Sequence, residues 1–236
     1  MGNTPLGWAA GNGHEEVVEL LLGRGDIDPN KPGGDGQTPL LRATCGGHEE
    51  VVKILLRRDD VDPDWSDVDG FTPLLVAAHL GREAVVEMLL GRDDIDPNKQ
   101  DEDGETPLLL AACSGHDGVV EMLLGRGDVN PDKSTLYDQT PLAAAARGGH
   151  GGVVKMLLGQ DDVNPNAADK KGRTPLYWAA LNGHEDVVRI LLGRDDVNPR
   201  KPDKKGRTPL SCAARHGHTR VVALLRPPRA AVCRTD

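Results

Sequence analysis

The sequence predicts an all-α repeat solenoid, a stack of helix-turn-helix units with protruding β-hairpin-like loops. Thr-Pro-Leu recurs every 34 residues, a Gly-His pair follows at a constant offset in six of seven copies, and a Val-Val pair follows that. A fixed period of about 20 to 50 residues is typical of repeat architectures. The seven tripeptides begin at Thr4, Thr38, Thr72, Thr106, Thr140, Thr174 and Thr208.

The constant period predicts one domain over residues 1–226, followed by a disordered C-terminal tail over residues 227–236. In such an array each unit contacts only its neighbours, so the core is thin and continuous. The low aromatic content, 3%, agrees with a core of Leu, Val and Ala. The predicted repeats span about 1–34, 35–68, 69–102, 103–136, 137–170, 171–204 and 205–226.

The sixth copy shows how the residues specify each element. Thr174 is a favourable N-cap, and Pro175 suits the first helical position, where a missing N–H costs nothing. The first helix is expected to end at Gly183, because glycine readily adopts the left-handed conformation. His184 then opens the turn into a second helix, whose apolar face lies within residues 187–192. Prolines and Asp/Asn residues after it predict an extended, turning loop.

Composition places the chain inside the cell, in the cytoplasm or the nucleus. The cysteines show neither a pairing pattern nor metal-ligand spacing, so we expect free thiols in a reducing compartment. The chain opens with no signal peptide and contains no apolar run of membrane-spanning length. The four cysteines are Cys45, Cys113, Cys212 and Cys233.

The net charge of −9 conceals an asymmetry along the chain. Residues 1–118 carry a net charge of −15, and residues 119–236 carry +6. In an extended array this becomes an acidic end and a basic end. Either these are solvated surface charges, or the array is a polar rod that orients its partner by electrostatic complementarity.

The sequence predicts no enzyme, no cofactor and no metal. Successive histidines of the repeated column should lie about 10 Å apart in a stack of helices, whereas metal ligands converge to about 2 Å, so a structural role is favoured. Asp60 begins a segment like a calcium-binding loop, but Trp65 and Phe71 occupy the positions that require Gly and Glu. The chain contains no phosphate-binding loop and no catalytic motif.

These repeated residues resemble the ankyrin repeat family, whose signature includes Thr-Pro-Leu-His-x-Ala with a period near 33. The resemblance spans about residues 1–226. It implies a curved stack that recognises proteins through a concave face of loops and first helices. The family's His ties adjacent loops together, but the residue after Thr-Pro-Leu is never His here, so those links should differ or be absent. That residue is Gly7, Leu41, Leu75, Leu109, Ala143, Tyr177 or Ser211.

The loops also depart from the family pattern, since they are about two residues longer. Their Asp-Pro-Asn and Asn-Pro-Asn segments, as at residues 28–30 and 164–166, are similar to ankyrin arrays of filamentous fungi. Such arrays often form the tail of larger multidomain signalling proteins. Neither end shows the polar outer face of a capping unit, so we expect a fragment of a longer array or ends that pack on another surface.

Positions that differ between copies are free of the packing constraint, and by resemblance to the family they face the partner. They are the loop tips, the residue after the loop Gly, and the residues after the paired alanines. Trp, Tyr and Arg are favoured at interface hot spots. The candidate contact residues are Trp65, Phe71, His79, Glu105, Tyr137, Arg147, Arg173, Tyr177, Arg207 and Arg215. Trp8 and Trp178 have inter-repeat packing as the alternative role, and Trp65 has that of a lone exposed aromatic.

The first hypothesis for function is a scaffold that binds an unidentified protein partner. The first alternative is a regulatory array taken from a larger signalling protein, where it packs on another domain. The second alternative is nucleic-acid contact through the basic loops of the C-terminal half, at residues 170–173 and 200–207. Acidic residues interleave there and flanking aromatics are lacking, which argues against that alternative. We expect a monomer with no membrane association, and end-to-end self-association is the alternative.

Overall fold

A computed structural model describes residues 2–226, which form 14 α-helices (α1–α14), two in each of seven units. The predicted all-α solenoid is confirmed, and the predicted tail over residues 227–236 lies outside the described residues. The first helices of the units are α1 (Pro5–Gly11), α3 (Pro39–Gly46), α5 (Pro73–Leu80), α7 (Pro107–Ser114), α9 (Pro141–Gly148), α11 (Pro175–Asn182) and α13 (Pro209–Arg215). The second helices are α2 (Glu15–Leu22), α4 (Glu49–Leu56), α6 (Glu83–Leu90), α8 (Asp117–Leu124), α10 (Gly151–Leu158), α12 (Glu185–Leu192) and α14 (Thr219–Leu225).

The first helix of every unit begins as the sequence predicts. The Thr hydroxyl accepts a hydrogen bond from the backbone N–H three residues on, as Thr174 does from Tyr177 at 3.2 Å. Proline follows at the first helical position. Gly183 ends α11 in the left-handed conformation, with φ of 78°. These local signals set both ends of the helix without help from distant residues.

The core is one continuous apolar layer between the two rows of helices. In the third unit it contains Leu74, the paired Ala77 and Ala78, and Val85, all fully buried. The first helix of each unit packs on the first helices of its neighbours, and the second helices do the same. The small alanines let neighbouring first helices approach closely, and six of the seven units keep the pair, while the second unit has Ala43 followed by the buried Thr44.

Five histidines of the column each link a unit to the one before it, which is a structural role of the kind that the sequence favours. His184 Nε2 lies 2.9 Å from the carbonyl oxygen of Arg147, at the end of the preceding unit's first helix. The carbonyl can only accept, so Nε2 must carry the proton. His48, His116, His150 and His218 make the equivalent bond at 3.0 Å. Arg82 replaces His in the third unit.

Asparagine side chains clip neighbouring loops together. Asn30 donates from Nδ2 to the carbonyl of Asp60 at 2.6 Å and accepts from the N–H of Asp62 at 2.8 Å. Asn98 and Asn166 make the same pair of bonds to the loops that follow them. These clips show that the links between loops differ from those of the family's His, as expected.

The clip is only half made where aspartate replaces asparagine. Asp64 accepts from the N–H of Asp96 at 2.7 Å, but its Oδ1 is buried without a hydrogen-bond partner in the described residues. Asp132 Oδ1 is equally buried and unpartnered within residues 2–226. A carboxylate has no N–H with which to reach the carbonyl that an Asn would contact. Full and half clips therefore alternate along the array.

Each loop turns back on itself near its tip without forming a strand in the described part of the chain. The N–H of Asp67 bonds to the carbonyl of Phe71 at 3.0 Å, and Gly70 closes the turn with φ of 83°. Asp138 occupies the Gly position in the fifth unit's entry loop with φ of 59°. Asp tolerates this left-handed region better than most residues, so the turn is retained there.

The first unit exposes apolar side chains on the face that internal units cover. Trp8 is 57% exposed, and Leu20 is 73% exposed. Of the equivalents in the second unit, Arg42 donates from its guanidinium to Asn3 Oδ1 of the first unit at 2.7 Å, and Ile54 is buried.

Candidate functional site

The ten candidate contact residues differ widely in accessibility. Five are exposed, four are partly buried, and one is buried. The exposed residues are Trp65, His79, Tyr137, Arg147 and Arg215, and the partly buried residues are Phe71, Glu105, Arg173 and Arg207. The buried residue is Tyr177.

The prediction that Tyr177 contacts a partner is wrong. Its side chain is only 1% exposed, because the third residue of α11 points between this unit and the next. The hydroxyl donates to Asp203 Oδ2 at 3.0 Å, in the loop that enters the seventh unit. Burial raises the pKa of Tyr177, and the neighbouring Cys212 and Asp203 raise it further. Tyr177 is therefore a link between units and offers no accessible surface.

Asp203 receives several hydrogen bonds in this buried position. Burial opposes its ionisation, but bonds from the Arg207 guanidinium, the N–H groups of Arg207 and Lys205, and Tyr177 outweigh that and lower its pKa to about 2. Arg207 Nε lies 2.8 Å from Asp203 Oδ2. The Nε–H group of Arg207, a candidate contact residue, therefore holds the loop through Asp203.

The structure brings three candidates together beside Trp178. The Cζ of Arg173 lies 3.9 Å from the centroid of the Trp178 ring, and the Cζ of Arg147 lies 5.0 Å from it. Tyr137 lines the same cleft, which has a volume of about 180 Å³. We call this the cationic cleft, defined by Tyr137, Gln139, Arg147, Asp169, Lys170, Lys171, Arg173 and Trp178.

Trp178 is the residue that orders the cleft, although the sequence leaves its role open between a binding site and packing. Only 8% of it is exposed, and the packing alternative is confirmed for this Trp. Its Nε1 is buried with no hydrogen-bond acceptor among the described residues. Trp8, the equivalent in the first unit, is 57% exposed. Guanidinium groups above an aromatic ring are held by cation–π attraction. The buried Trp178 ring therefore packs inside the stack and also holds the Arg147 and Arg173 side chains at the surface.

The charge of the loop tips changes from negative to positive along the array. Acidic residues occupy the tips before the second, third and fourth units, and paired lysines occupy those before the sixth and seventh. Between them, Leu136 and Tyr137 are 58% and 62% exposed. Backbone bonds join the tips, as from Lys170 N–H to the Tyr137 carbonyl at 3.1 Å. The tip pairs are Gly34-Asp35, Val68-Asp69, Glu102-Asp103, Leu136-Tyr137, Lys170-Lys171 and Lys204-Lys205.

The remaining candidates lie on other units. Trp65, 37% exposed, and Phe71 flank the loop before the third unit, and His79 lies near the end of α5. Glu105 sits among other acids, and its pKa is raised by burial and then by the charges of Asp101 and Asp103. These residues belong to the acidic half of the same surface.

Other kinds of site were sought among residues 2–226. That part of the chain places no three His, Cys, Asp or Glu residues where they could hold a metal ion. None of its helices is both long enough and apolar enough to cross a bilayer.

A model of the family described as ankyrin repeats (3 copies) matches residues 6–101, 93–169 and 161–236. A comparison with curated proteins gave no match. Ankyrin repeats are generally protein–protein interaction modules, and proteins built from them are typically scaffolds without enzymatic activity. The match covers nearly the whole chain and agrees with the stack of paired helices, and this chain therefore belongs to the ankyrin repeat family.

Proposed function

We propose that this chain is a scaffold that binds a protein partner through its loop face. The loop face consists of the loop tips together with the exposed positions that follow the paired alanines on the first helices. On those helices the exposed positions are Cys45 (after Ala43-Thr44), His79, Cys113, Arg147 and Arg215, and Leu181 at the equivalent position is partly buried. The observation that carries the proposal is that the loop tips and these helix positions differ from unit to unit, whereas the buried core positions repeat.

The middle of the loop face offers the chemistry of an interface core. Leu136 and Tyr137 are exposed side by side on one tip, and Arg147 lies beside the same cleft as Tyr137. Tyr and Arg are enriched among residues that dominate binding energy. The acidic and basic tips on either side would steer and orient the partner, because complementary charge sets encounter rate and register.

The proposal covers two arrangements of the partner. The partner is a separate protein, or it is another domain of a longer signalling protein that contains this array. Both arrangements use the loop face. Binding of a separate protein depends on that protein's concentration, whereas binding of a domain in the same chain does not. Nucleic-acid contact through the basic tips is the competing function, and Lys204 and Lys205 would carry it.

Site-specific photo-crosslinking tests the scaffold proposal directly. A photoreactive phenylalanine derivative replaces Tyr137 on the loop face, and in a matched variant it replaces Glu121, exposed on the second helix α8. In cells of the native host we expect a discrete protein adduct from position 137 and none from position 121. Equal adduct yields from the two positions, or adducts to nucleic acid alone, contradict the proposal.

We also propose an intracellular location, cytoplasmic or nuclear, and a monomeric state. Cys45, Cys113 and Cys212 are free and lie in the second, fourth and seventh units, which are not neighbours. Stacking keeps these three thiols apart, so residues 2–226 fold without a disulfide and need no oxidising compartment. Thiol alkylation of the native protein and its sedimentation at micromolar concentration check the two statements; blocked thiols or a dimer contradict them.

A further inference from the structure

Three of the four cations that line the cationic cleft have no carboxylate partner in the described residues. Arg173 is committed, since its Nε donates to Asp169 Oδ2 at 2.7 Å. In the described residues, Arg147, Lys170 and Lys171 have no carboxylate within ion-pair distance. Three cations therefore surround one cleft with a single acid, which already has its own partner.

The cleft holds the Arg147 side chain where its fork of N–H donors can be used. The guanidinium lies 5.0 Å from the Trp178 ring centroid, which limits the side-chain freedom that an exposed Arg would otherwise lose on binding. The backbone carbonyl of Arg147 accepts from His184 at 2.9 Å, so the backbone beneath the side chain is also fixed. A planar fork held in this way suits a carboxylate, which it can bind with two parallel hydrogen bonds.

Two further features define what fits. The cleft volume of about 180 Å³ is below the range of about 300–1,000 Å³ typical of small-molecule sites, so one side chain fits better than a cofactor. The Arg147 guanidinium has no carboxylate partner within residues 2–226, whereas the one acid of the cleft, Asp169, is already paired with Arg173. An anionic side chain entering the cleft brings acceptor oxygens for the N–H donors of Arg147.

We propose that the cationic cleft binds a Glu or Asp side chain from an acidic segment of the partner protein. Arg147 pairs with the carboxylate, Lys170 and Lys171 add long-range attraction, and the neighbouring residue of the segment packs on Leu136 and Tyr137. This inference deepens the scaffold function and rests on it, because it names the chemistry of the partner at one point of the loop face.

An acidic peptide fits this site better than a nucleic acid does. Base stacking needs open aromatic faces, but Trp178 is 8% exposed with a guanidinium close to its ring, which leaves Tyr137 as the single exposed aromatic residue of the cleft. A phosphate chain leaving the cleft toward the fourth unit would meet Glu102, Asp103 and Glu105. A short peptide needs only the cleft and the Leu136-Tyr137 tip.

Fluorescence anisotropy on the full chain tests the inference, with fluorescein-labelled octaglutamate as the probe. Octaglutamine controls for charge, and octathymidylate is the nucleic-acid arm. We expect octaglutamate to bind and Arg147→Gln to weaken it about tenfold, as loss of a charge-assisted hydrogen-bonded pair does. Arg147→Lys, which keeps the charge and loses the fork, should weaken it about threefold.

Lys155→Gln is the matched control, since Lys155 is exposed on the second helix of the same unit and the net charge changes equally. We expect it to change octaglutamate affinity less than about twofold. Equal losses in Arg147→Gln and Lys155→Gln, no binding of octaglutamate, or tighter binding of octathymidylate overturns the inference. If the photo-crosslink from position 137 still captures a protein in that case, the scaffold function stands and only the acidic ligand fails.

Discussion

The hydroxyl of Tyr177 donates a 3.0 Å hydrogen bond to Asp203, which lies in the loop that enters the next unit. Tyr177 occupies the position after Thr-Pro-Leu, where the family's His ties adjacent loops. The sixth unit thus makes with a phenol a link that the family makes with an imidazole. The Leu, Gly and Ala residues at this position in the first five units have no polar side-chain atom for such a bond, and those loops rely on the clips instead.

Removing the Tyr177 hydroxyl should destabilise the array without changing its fold. Tyr177→Phe keeps the buried ring but deletes one hydrogen bond to a charged acceptor, at a cost of about 1–2 kcal/mol in the free energy of unfolding. Urea denaturation measures the loss. Tyr137→Phe is the control, because the Tyr137 ring is 62% exposed and we expect its hydroxyl to contribute almost nothing. Equal effects of the two substitutions contradict this account of the link.

The ionised Asp203 should make stability depend on pH at the acidic end of the range. Its folded pKa of about 2 lies below the unfolded value of about 3.9, so its contribution is fully present above about pH 4. As the pH falls from about 4 through 2, protonation removes that contribution. The free energy of unfolding of wild type should exceed that of Asp203→Asn above about pH 4, and the gap should narrow toward about pH 2. Parallel curves across that window contradict the prediction.

Completing the half clip should stabilise the chain. In Asp64→Asn the buried, unpartnered Oδ1 becomes an N–H donor, which relieves a penalty of about 1–3 kcal/mol. Denaturation at neutral pH measures the gain. The reverse change, Asn98→Asp, breaks a full clip and should destabilise by a similar amount. Destabilisation by both changes would show that the alternation of Asn and Asp has another cause.

The gain from Asp64→Asn should itself depend on pH. Burial raises the pKa of Asp64, so the cost of its charge is fully present above the folded pKa. As the pH falls through that pKa toward the unfolded value of about 3.9, wild type takes up the proton and recovers stability relative to the variant. The stability advantage of Asp64→Asn over wild type should therefore shrink between neutral pH and about pH 4, which the same denaturation series measures. An advantage that stays constant across that range contradicts a charged, buried Asp64.

The turn glycines should differ in sensitivity according to whether a histidine covers them. Gly149 has φ of 83°, and an added Cβ would lie 2.6 Å from His184 Nδ1. Gly217 has φ of 78° with nothing within 4 Å of an added Cβ. Gly217→Ala should cost about 1–2 kcal/mol from the left-handed backbone alone, and Gly149→Ala should cost more. If urea denaturation gives the same loss of unfolding free energy for both substitutions, the contact between the turn glycine and the histidine of the next unit does not stabilise the array.

Local signals made the fold predictable. Thr174, Pro175 and Gly183 act through hydrogen bonds and backbone preferences within one unit, so their roles follow from neighbouring residues alone. Tyr177 was misjudged for the opposite reason: its direction and partner depend on Asp203, which is 26 residues further along the chain. The residue type, a tyrosine, indicated an interface hot spot there, whereas its hydroxyl joins neighbouring units.

The individual residues of the candidate site could be predicted from the sequence, but their arrangement in space could not. Tyr137, Arg147 and Arg173 were each singled out by their position in the repeat. Their meeting around Trp178 depends on how the fifth and sixth units stack, which no single unit encodes. The clips were missed, although a polar residue kept so regularly indicates a bond. The residues that recur with the period of the array are Asn30, Asp64, Asn98, Asp132 and Asn166.

The alternation of full and half clips has a mechanical consequence. Asn30, Asn98 and Asn166 fasten the loops of the first to second, third to fourth, and fifth to sixth units, while Asp64 and Asp132 leave seams with only half a clip between those pairs. An array pulled from its two ends should therefore part first at the seams. Its extension under force should increase in steps that each correspond to two unfolded repeats. Replacing both aspartates with asparagine should abolish this pairing, so that the repeats unfold without preferred steps of two.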